Sequence, residues 1–186
     1  MIEFKNVSKS YNKKILDNFS FYLEDRENMA IFGKSGIGKT TILNLILGLE
    51  KPDTGTINKS FSKTSVVFQE NRLINEISAL DNLRLITDDG NLAKEILNKF
   101  GIYDLEKKIN LLSGGMQRKV ALARAYLFAG DILIMDEPFT GIDASSKIEI
   151  ANLLNDKFKG KSIIIVSHNP EDFELFSINK NKIIHL

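Results

Sequence analysis

The chain has 186 residues, of which 43% are hydrophobic and 26% charged, a composition typical of a folded domain with one substantial core. Its 25 basic and 24 acidic residues leave a net charge of +1, so no overall positive field would hold it on nucleic acid or on an acidic membrane. The absence of cysteine excludes disulfides, zinc–thiolate sites and cysteine nucleophiles.

The N-terminal residues form the first predicted element. Within residues 1–14, Ile2, Phe4 and Val7 alternate with polar residues, which predicts an edge strand. This segment lacks the apolar core that a signal peptide needs. No apolar run in the chain approaches the roughly 20 residues of a membrane-spanning helix, so we expect no transmembrane segment.

Short apolar runs further along the chain indicate strands that are buried on both faces of a parallel sheet. These runs lie at residues 29–32, 66–68, 132–135 and 163–166. Helical patterns lie between them, at residues 40–49, 116–129 and 145–158. The alternation of strands and helices predicts an α/β core.

Residues 71–112 interrupt this alternation. Leucine and isoleucine recur there at helical spacing, without a convincing strand. We interpret this stretch as a helical subdomain inserted into the sheet domain. The chain contains no internal repeat and only three prolines, so we expect it to fold as a single domain.

A glycine-rich loop follows the apolar run at 29–32. The pattern G-x-x-x-x-G-K-[ST] is matched by Gly33, Lys34, Ser35, Gly36, Ile37, Gly38, Lys39 and Thr40, with Thr41 next in the helix. Glycines let backbone N–H groups turn inward around a phosphate, and the helix N-terminus adds partial positive charge. We expect Lys39 to bridge the β- and γ-phosphates and the Thr40 hydroxyl to bind Mg²⁺. The alternative is a glycine turn that matches by accident, and the flanking strand and helix disfavour it.

Two acidic residues end the apolar run at 132–135. Asp136 is placed to hold Mg²⁺ through water, and Glu137, pointing elsewhere, to accept a proton from an attacking water. Taken alone, the pair is equally consistent with surface acids at a strand end. The phosphate loop makes that alternative unattractive, because ligands of wound α/β sheets bind at the carboxyl ends of the strands.

A second potential anion site precedes the helical pattern at 116–129. Ser113 is a candidate N-cap, and Gly114 and Gly115 expose amide groups at the positive end of the helix. One nucleotide seldom needs two such sites from a single domain. We therefore interpret the pair of sites as evidence that two chains share each nucleotide.

Taken together, five motifs resemble those of ATP-binding cassette (ABC) proteins, and they occur in that family's order. They are the loop 33–40, the glutamine that ends the stretch 66–69, the Leu-Ser-Gly-Gly at 112–115, the acidic strand end at 132–138, and the histidine of 166–168. The resemblance covers essentially the whole chain, from an aromatic at Tyr11 to a closing hairpin near residues 179–186.

The resemblance implies an architecture as well as a site. It implies a P-loop NTPase (RecA-like) core with an N-terminal antiparallel β-subdomain in residues 1–70 and 130–186. A helical subdomain with the signature motif would occupy about 71–129, and it is short for the family. A groove beside the Gln69 loop, with Leu73, Ile74 and residues 80–85 as candidates, would receive a short helix of a membrane partner.

The resemblance also implies roles that spacing alone leaves open. Tyr11 matches the aromatic that stacks on adenine, although an ordinary edge-strand tyrosine is the alternative. Gln69 matches the glutamine that contacts Mg²⁺ and the attacking water. His168 matches the histidine that reaches the γ-phosphate, whereas a lone histidine after a strand is more often a plain surface residue. Asp143 matches an aspartate at the dimer interface.

Two ATP molecules would thus lie between two chains, with Ser113, Gly114 and Gly115 closing over the nucleotide of the partner. The implied partners are a second copy of the chain in an ATP-dependent homodimer and transmembrane permease subunits. Importers add an extracytoplasmic solute-binding protein. The implied location is peripheral, on the cytoplasmic face of the cell membrane, and no nucleic-acid partner is expected.

The resemblance is to transport ATPases, and within them to the importers of nitrate, sulfonates, taurine and similar solutes. This subgroup is indicated by the stretches 68–73 and 136–139. An exporter or lipoprotein-release ATPase is the main alternative. A non-membrane ABC machine is a weaker alternative, because such proteins usually carry long coiled-coil insertions or two cassettes. An inactive scaffold is weaker because Lys39, Asp136, Glu137 and His168 are all present. A simple P-loop kinase is weaker because it would not need the Leu-Ser-Gly-Gly motif or His168.

Overall fold

Two β-sheets form the framework of the chain in a computed structural model that describes residues 1–186. The smaller sheet is antiparallel, and its strand order is β2-β1-β4, with β1 at Ile2–Ser10, β2 at Lys14–Leu23 and β4 at Thr54–Lys59. The larger sheet is parallel and contains β3 (Met29–Phe32), β5 (Thr64–Val67), β6 (Ile132–Asp136), β7 (Ser162–Ser167) and β8 (Ile183–His185). Its order is β5-β6-β7-β3-β8.

Six α-helices complete the fold. They are α1 (Lys39–Leu47), α2 (Ala79–Arg84), α3 (Gly90–Lys99), α4 (Gly114–Phe128), α5 (Ala144–Lys157) and α6 (Glu171–Glu174). The three long helical patterns are confirmed to within two residues at each end. None of the helices combines the length and the apolar composition that a membrane span requires.

The predicted parallel strands are confirmed because their side chains are buried on both faces of the sheet. Ile134 and Ile164 pack on one face, in a cluster with Phe4 of β1 and Ile42 of α1. Leu133 and Ile163 pack on the other face, with Leu154 of α5 and residues of α2, α3 and α4. A strand with two buried faces has no polar side to show, which explains the uninterrupted apolar runs in the sequence.

Two expectations about the strands are wrong. Residues 2–10 form the central strand of the antiparallel sheet, because β4 returns from residue 54 to pair with the side of β1 that β2 leaves free. The expected hairpin near residues 179–186 is a short 3₁₀ turn followed by β8, which pairs in parallel with β3. Both pairings join segments that are far apart in the sequence.

Helices α2, α3 and α4 follow one another between β5 and β6 and pack on each other. This is the stretch for which an inserted helical subdomain is predicted, and the division at about 71–129 stays a prediction. The short helix α2 begins with a reciprocal cap, in which Ser78 accepts from the Asp81 amide and donates to the Asp81 carboxylate. The hydrogen bond that the Ser78 hydroxyl donates to the Asp81 carboxylate is the main reason why the pKa of Asp81 is lowered.

Candidate functional site

The glycine-rich loop runs from the end of β3 into α1 and lines a cavity at the carboxyl edge of the parallel sheet. Besides the loop, the cavity wall contains Ile15, Gln69, Asp136 and Glu137. Asp136 ends β6 and Glu137 follows it, while His168 follows β7. Because the strands are parallel, these ends meet at one edge, where wound α/β sheets bind their ligands.

Two glycines give the loop its shape. Gly36 and Gly38 have φ angles of 76° and 123°, which side-chain-bearing residues rarely adopt. A Cβ atom on Gly38 would also lie 2.6 Å from Ile15 Cγ2. No side chain caps the N-terminus of α1, so its first N–H groups remain free for an anion.

Lys39 is almost entirely buried at the start of α1, with 7% of its surface exposed. Its ammonium group donates to the carbonyl oxygens of Gly33 at 2.7 Å and Lys34 at 3.0 Å. The loop backbone therefore supplies the polar partners that a buried cation requires. The same position lets the ammonium group reach an anion held by the loop.

Thr40 and Asp136 come together from positions 96 residues apart in the chain, and the Thr40 hydroxyl donates to Asp136 Oδ2 at 3.0 Å. Asp136 is 3% exposed. Burial raises the pKa of this carboxyl group, and the Thr40 hydrogen bond opposes that effect. The pair presents two oxygen atoms, from a hydroxyl and a carboxyl group, at the cavity.

Glu137 adopts a left-handed backbone conformation, with φ 49°. Its amide donates to the Val166 carbonyl at 2.8 Å, and its Oε2 atom lies 2.8 Å from His168 Nδ1. A left-handed non-glycine residue costs about 1–2 kcal/mol, so surrounding contacts must hold it in place. The turn separates the two adjacent acids, because Asp136 bonds to Thr40 and Glu137 to His168.

Ser167 links Glu137 to an ion pair whose acidic member, Asp172, is buried. The Ser167 hydroxyl donates to Asp172 Oδ2 at 2.6 Å and lies 3.4 Å from Glu137 Oε2. Asp172 also forms an ion pair with Lys147 of α5. This network was not predicted, because nothing in the local sequence pattern indicates that Lys147 and Asp172 meet.

Gln69 and Tyr11 differ in their relation to the cavity. Gln69, two residues beyond β5, contributes to its wall. Tyr11, just beyond β1, does not, and its hydroxyl donates to the Glu50 carboxylate. About half of the Tyr11 surface is exposed, so its ring is open to a planar ligand.

Ser113, Gly114 and Gly115 lie apart from the cavity in this chain. The Ser113 hydroxyl accepts from the Met116 amide at 3.3 Å, which confirms the predicted N-cap of α4. A Cβ atom on Gly115 would lie 2.2 Å from the Gly141 carbonyl oxygen, whereas one on Gly114 would meet nothing within 4 Å. The helix start is thus packed against the loop before α5 on one side and open on the other.

Asp143 caps the N-terminus of α5. Its carboxylate accepts from the Ser146 amide at 2.9 Å and from the Ser145 hydroxyl at 2.7 Å, and Lys119 lies 3.7 Å away. The Ser146 backbone hydrogen bond is the main reason why the pKa of Asp143 lies far below its usual range. Its predicted place at a dimer interface stays a prediction, because one chain cannot test it.

The buried position of Arg118 was not predicted from the sequence either. Its guanidinium group is buried between the segment after β5 and the segment after β6. It donates to the carbonyl oxygens of Phe68, Gln69, Asp136, Glu137 and Pro138 and to the side-chain oxygen of Asn71. A signal was present, because Arg118, Leu122 and Ala125 share the helical face that carries buried residues of α4.

The expected partner groove needs a correction. Leu80 and Leu83 are fully buried in the core, so they are unavailable to a partner. Of the expected candidates, Ile74 and Leu85 are exposed, and Ile86 and Phe128 are further exposed apolar side chains that the sequence did not indicate. Ile86 and Phe128 line a shallow depression beside β5.

Comparison with known proteins gives consistent matches. The profile of the family described as ABC transporter matches residues 16–140. The macrolide export ATP-binding/permease protein MacB of Campylobacter jejuni is 32% identical over 92% of the chain, and the match spans 31% of MacB. The taurine import ATP-binding protein TauB of Pseudomonas aeruginosa is 32% identical over 88% of the chain and 69% of TauB. The chain thus spans about a third of one relative and two thirds of the other.

A solved structure resembles the whole chain. It is a dimeric structure of a post-hydrolysis state of the ATP-binding cassette MJ0796 bound to ADP and Pi. It aligns with a TM-score of 0.86, 28% identity and coverage of 100% of this chain and 94% of that one.

Proposed function

The chain belongs to the ABC transporter family, and from that premise we propose that it binds and hydrolyses ATP to power transport through separate membrane-spanning subunits. One observation carries the proposal: a single cavity collects the phosphate loop, Gln69, Asp136 and Glu137. A loop that binds phosphate and an acid that accepts a proton are the two parts that nucleotide hydrolysis requires.

ATP binding would use groups that the loop already orders. The N–H groups of the loop and of the first turn of α1 receive phosphate oxygens. The Lys39 ammonium group exchanges the carbonyl oxygens of Gly33 and Lys34 for the β- and γ-phosphates. Tyr11 offers its exposed ring to adenine.

Thr40, Asp136 and Gln69 fit Mg²⁺ as its protein partners. Hydroxyl, carboxylate and amide oxygens are the hard ligands that this ion prefers. Mg²⁺ usually keeps several waters and substrate phosphates among its ligands, so it needs few protein ligands. When bound, Mg²⁺ neutralises charge that develops on the phosphate oxygens.

Glu137 is the proposed general base. Its carboxylate accepts the proton of the water that attacks the γ-phosphate, and Gln69 orients that water. His168 holds the carboxylate through the 2.8 Å contact and turns towards the γ-phosphate when ATP is present. The left-handed turn at residue 137 keeps this carboxylate apart from Asp136, so that one acid serves the metal and the other the proton.

The Ser113–Gly115 segment gives the proposal its dimeric form. In a two-fold dimer, Ser113, Gly114 and Gly115 of one chain close over the γ-phosphate that the other chain holds. The open space over Gly114 supports this arrangement. ATP then joins the two chains, hydrolysis releases them, and Asp143 lies at their interface.

The membrane partner is proposed to dock on the exposed apolar residues Ile74, Leu85, Ile86 and Phe128. The chain would then lie on the cytoplasmic face of the membrane, with a solute-binding protein on the other side.

We propose that the direction of transport is import, as in TauB. Export, as in MacB, is the second candidate. Purification from detergent-solubilised membranes separates them: import predicts a permease together with a solute-binding protein, and a permease alone favours export.

The base assignment is tested with Glu137→Gln. We expect the variant to bind MgATP, to hydrolyse it about 10²–10⁴-fold more slowly, and to accumulate as an ATP-dependent dimer in size-exclusion chromatography. Glu149→Gln, on the exposed surface of α5, is the matched control and should keep wild-type turnover. Turnover by Glu137→Gln within a factor of about three of wild type would refute the assignment.

A further inference from the structure

Arg118 links two segments that contribute different groups to the proposed ATPase site. Nη1 donates to the segment after β5, at 3.3 Å to the Gln69 carbonyl and 3.1 Å to Asn71 Oδ1, and it also bonds to the Phe68 carbonyl. Nη2 donates to the carbonyl oxygens of Asp136 and Glu137, and Nε donates to Pro138 at 3.0 Å. One planar group thus holds both segments at once.

The guanidinium group is buried without a carboxylate in direct contact. Arg118 is 2% exposed, and five of its six acceptors are backbone carbonyl oxygens. Burial lowers the pKa of Arg118 to about 10, while the negative charges of Asp136 and Glu137 oppose that decrease. Arg118 therefore remains charged at neutral pH, and its charge is stabilised by peptide dipoles.

The same contacts bear on the strained backbone at Glu137. The carbonyls of residues 136, 137 and 138 all accept from Arg118, so a peptide in this turn cannot rotate without losing a charge-assisted hydrogen bond. Glu137 at φ 49° needs such restraint. The position of its carboxylate thus depends on a side chain that lies on α4, the helix that begins at the signature residues.

We propose that Arg118 is a positioning residue that fixes the Glu137 turn relative to the Gln69 segment. The proton-accepting carboxylate of Glu137 and the water-orienting side chain of Gln69 then keep a constant relative position. The proposal rests on the proposed ATPase function, and Arg118 itself touches no reacting atom. The alternative is that Arg118 only stabilises the fold. The two differ in outcome, because positioning affects turnover more than nucleotide binding.

The first test compares Arg118→Gln with Arg124→Gln. Arg124 is the matched control, since it lies on the same helix and donates to the carbonyls of Arg72 and Asn71 but not to residues 136–138. For Arg118→Gln we expect kcat to fall about 30- to 100-fold, with the Kd for MgATP changed less than about threefold. Arg124→Gln should keep kcat within about twofold.

Arg118→Lys separates charge from geometry. An ammonium group is a single point of charge and cannot span both segments as the guanidinium fork does. We expect the lysine variant to recover less than about a tenth of the lost turnover, and full recovery would overturn the proposal. In a Glu137→Gln background, Arg118→Gln should add little further loss in single-turnover hydrolysis, because the two act as one unit.

Hydrogen–deuterium exchange of the nucleotide-free chain tests the link without any hydrolysis. Arg118→Gln should raise exchange in both segments, 66–72 and 136–140, whereas Arg124→Gln should raise it in the first alone. Exchange that rises evenly over the whole chain, or kcat within threefold of wild type, would overturn the proposal. A wild-type chain without ATPase activity would instead contradict the proposed function, and the exchange data would still decide whether Arg118 joins the two segments.

Discussion

Asp136 and Glu137 are sequence neighbours in opposite environments. Asp136 is buried and bonded to Thr40, whereas Glu137 sits on a left-handed turn beside an exposed histidine. The sequence predicted this division of roles, because successive side chains of a strand and its first loop residue point in different directions. It could not predict the burial of Asp136, which comes from residues of other elements.

The buried Asp136 carboxyl group makes the folded chain less stable at neutral pH than an uncharged equivalent would. Its pKa is raised, so the folded state holds the proton more tightly than the unfolded state, and stability is lost as the pH rises through the folded pKa. We expect Asp136→Asn to have a higher Tm than the wild type at pH 7 in EDTA. This difference in Tm should disappear near pH 4, which is about the pKa of an aspartate in an unfolded chain. Thermal unfolding monitored by circular dichroism measures both.

Asp131 provides a control of opposite sign. Backbone hydrogen bonds from Lys63 and Ser62 lower its pKa, so its ionised form contributes stability above the unfolded pKa, and this is lost as the pH falls through the folded pKa. Asp131→Asn should therefore lower the Tm at pH 7. If Asp136→Asn also lowered the Tm at pH 7, burial of the Asp136 carboxylate would not be the dominant effect of this residue on stability.

The elements that the sequence predicted well are those with two buried faces or one clear helical face. The strands β3, β6 and β7 and the long helices α4 and α5 belong to this group. Strand β4 escaped prediction because five of its six residues are exposed and no alternation is visible. The edge strand was predicted from local alternation and the closing hairpin from the family resemblance, whereas the actual pairings, of β1 with β4 and of β8 with β3, join distant segments.

The candidate site divides in the same way. Residues 33–40 and 136–137 form contiguous motifs, so their chemical roles can be predicted before the fold is known. Arg118 and the Lys147–Asp172 pair act through tertiary contacts that cross between elements. Their residue types alone indicate solvated charges, which is the ordinary state of lysine, aspartate and arginine.

Helix α4 ends in a conformation that favours glycine. Its C-cap residue, Ala129, has φ 49° and ψ 48°, a left-handed geometry that costs a residue with a Cβ about 1–2 kcal/mol. We therefore expect Ala129→Gly to raise the free energy of unfolding by up to about 1 kcal/mol in urea titration. Ala125→Gly, within the same helix, should lower it by about 1 kcal/mol.

These two alanine variants check each other. Both replace alanine by glycine within five positions of the chain, so a general effect of added flexibility would have the same sign at both sites. A decrease in stability at Ala129 as large as that at Ala125 would contradict the role of the left-handed cap.

On the scale of the whole molecule, the residues of the proposed nucleotide site fall into two separate groups. The phosphate loop, Gln69, Asp136 and Glu137 share one cavity, and Ser113–Gly115 lie outside it. A single chain therefore offers a phosphate-binding half and an unpaired helix start. In the proposed dimer, one two-fold axis places the helix start of each chain against the phosphate-binding half of the other chain.

This arrangement predicts that Ser113→Arg blocks association and spares nucleotide binding. In the Glu137→Gln background, the added side chain should reduce the ATP-dependent dimer by about tenfold or more in size-exclusion chromatography with light scattering. The Kd for MgATP of the monomer should stay within about threefold, because Ser113 lies outside the cavity.

Ser60→Arg is the matched control for this prediction. Ser60 lies at the opposite edge of the molecule, in a depression with Met1 and the start of β7. The same added charge and bulk there should leave the dimer intact. A dimer that survives Ser113→Arg would remove the proposed arrangement of the two chains.

The fold constrains the neighbouring glycines 114 and 115 differently. A side chain at Gly115 is excluded by the Gly141 carbonyl of the same chain, so selection for a folded protein suffices to retain that glycine. The space over Gly114 is empty in the isolated chain, so only selection acting through a neighbour can preserve it. In a lineage that lost its partner and its activity but kept the fold, Gly114 would drift while Gly115 stayed fixed.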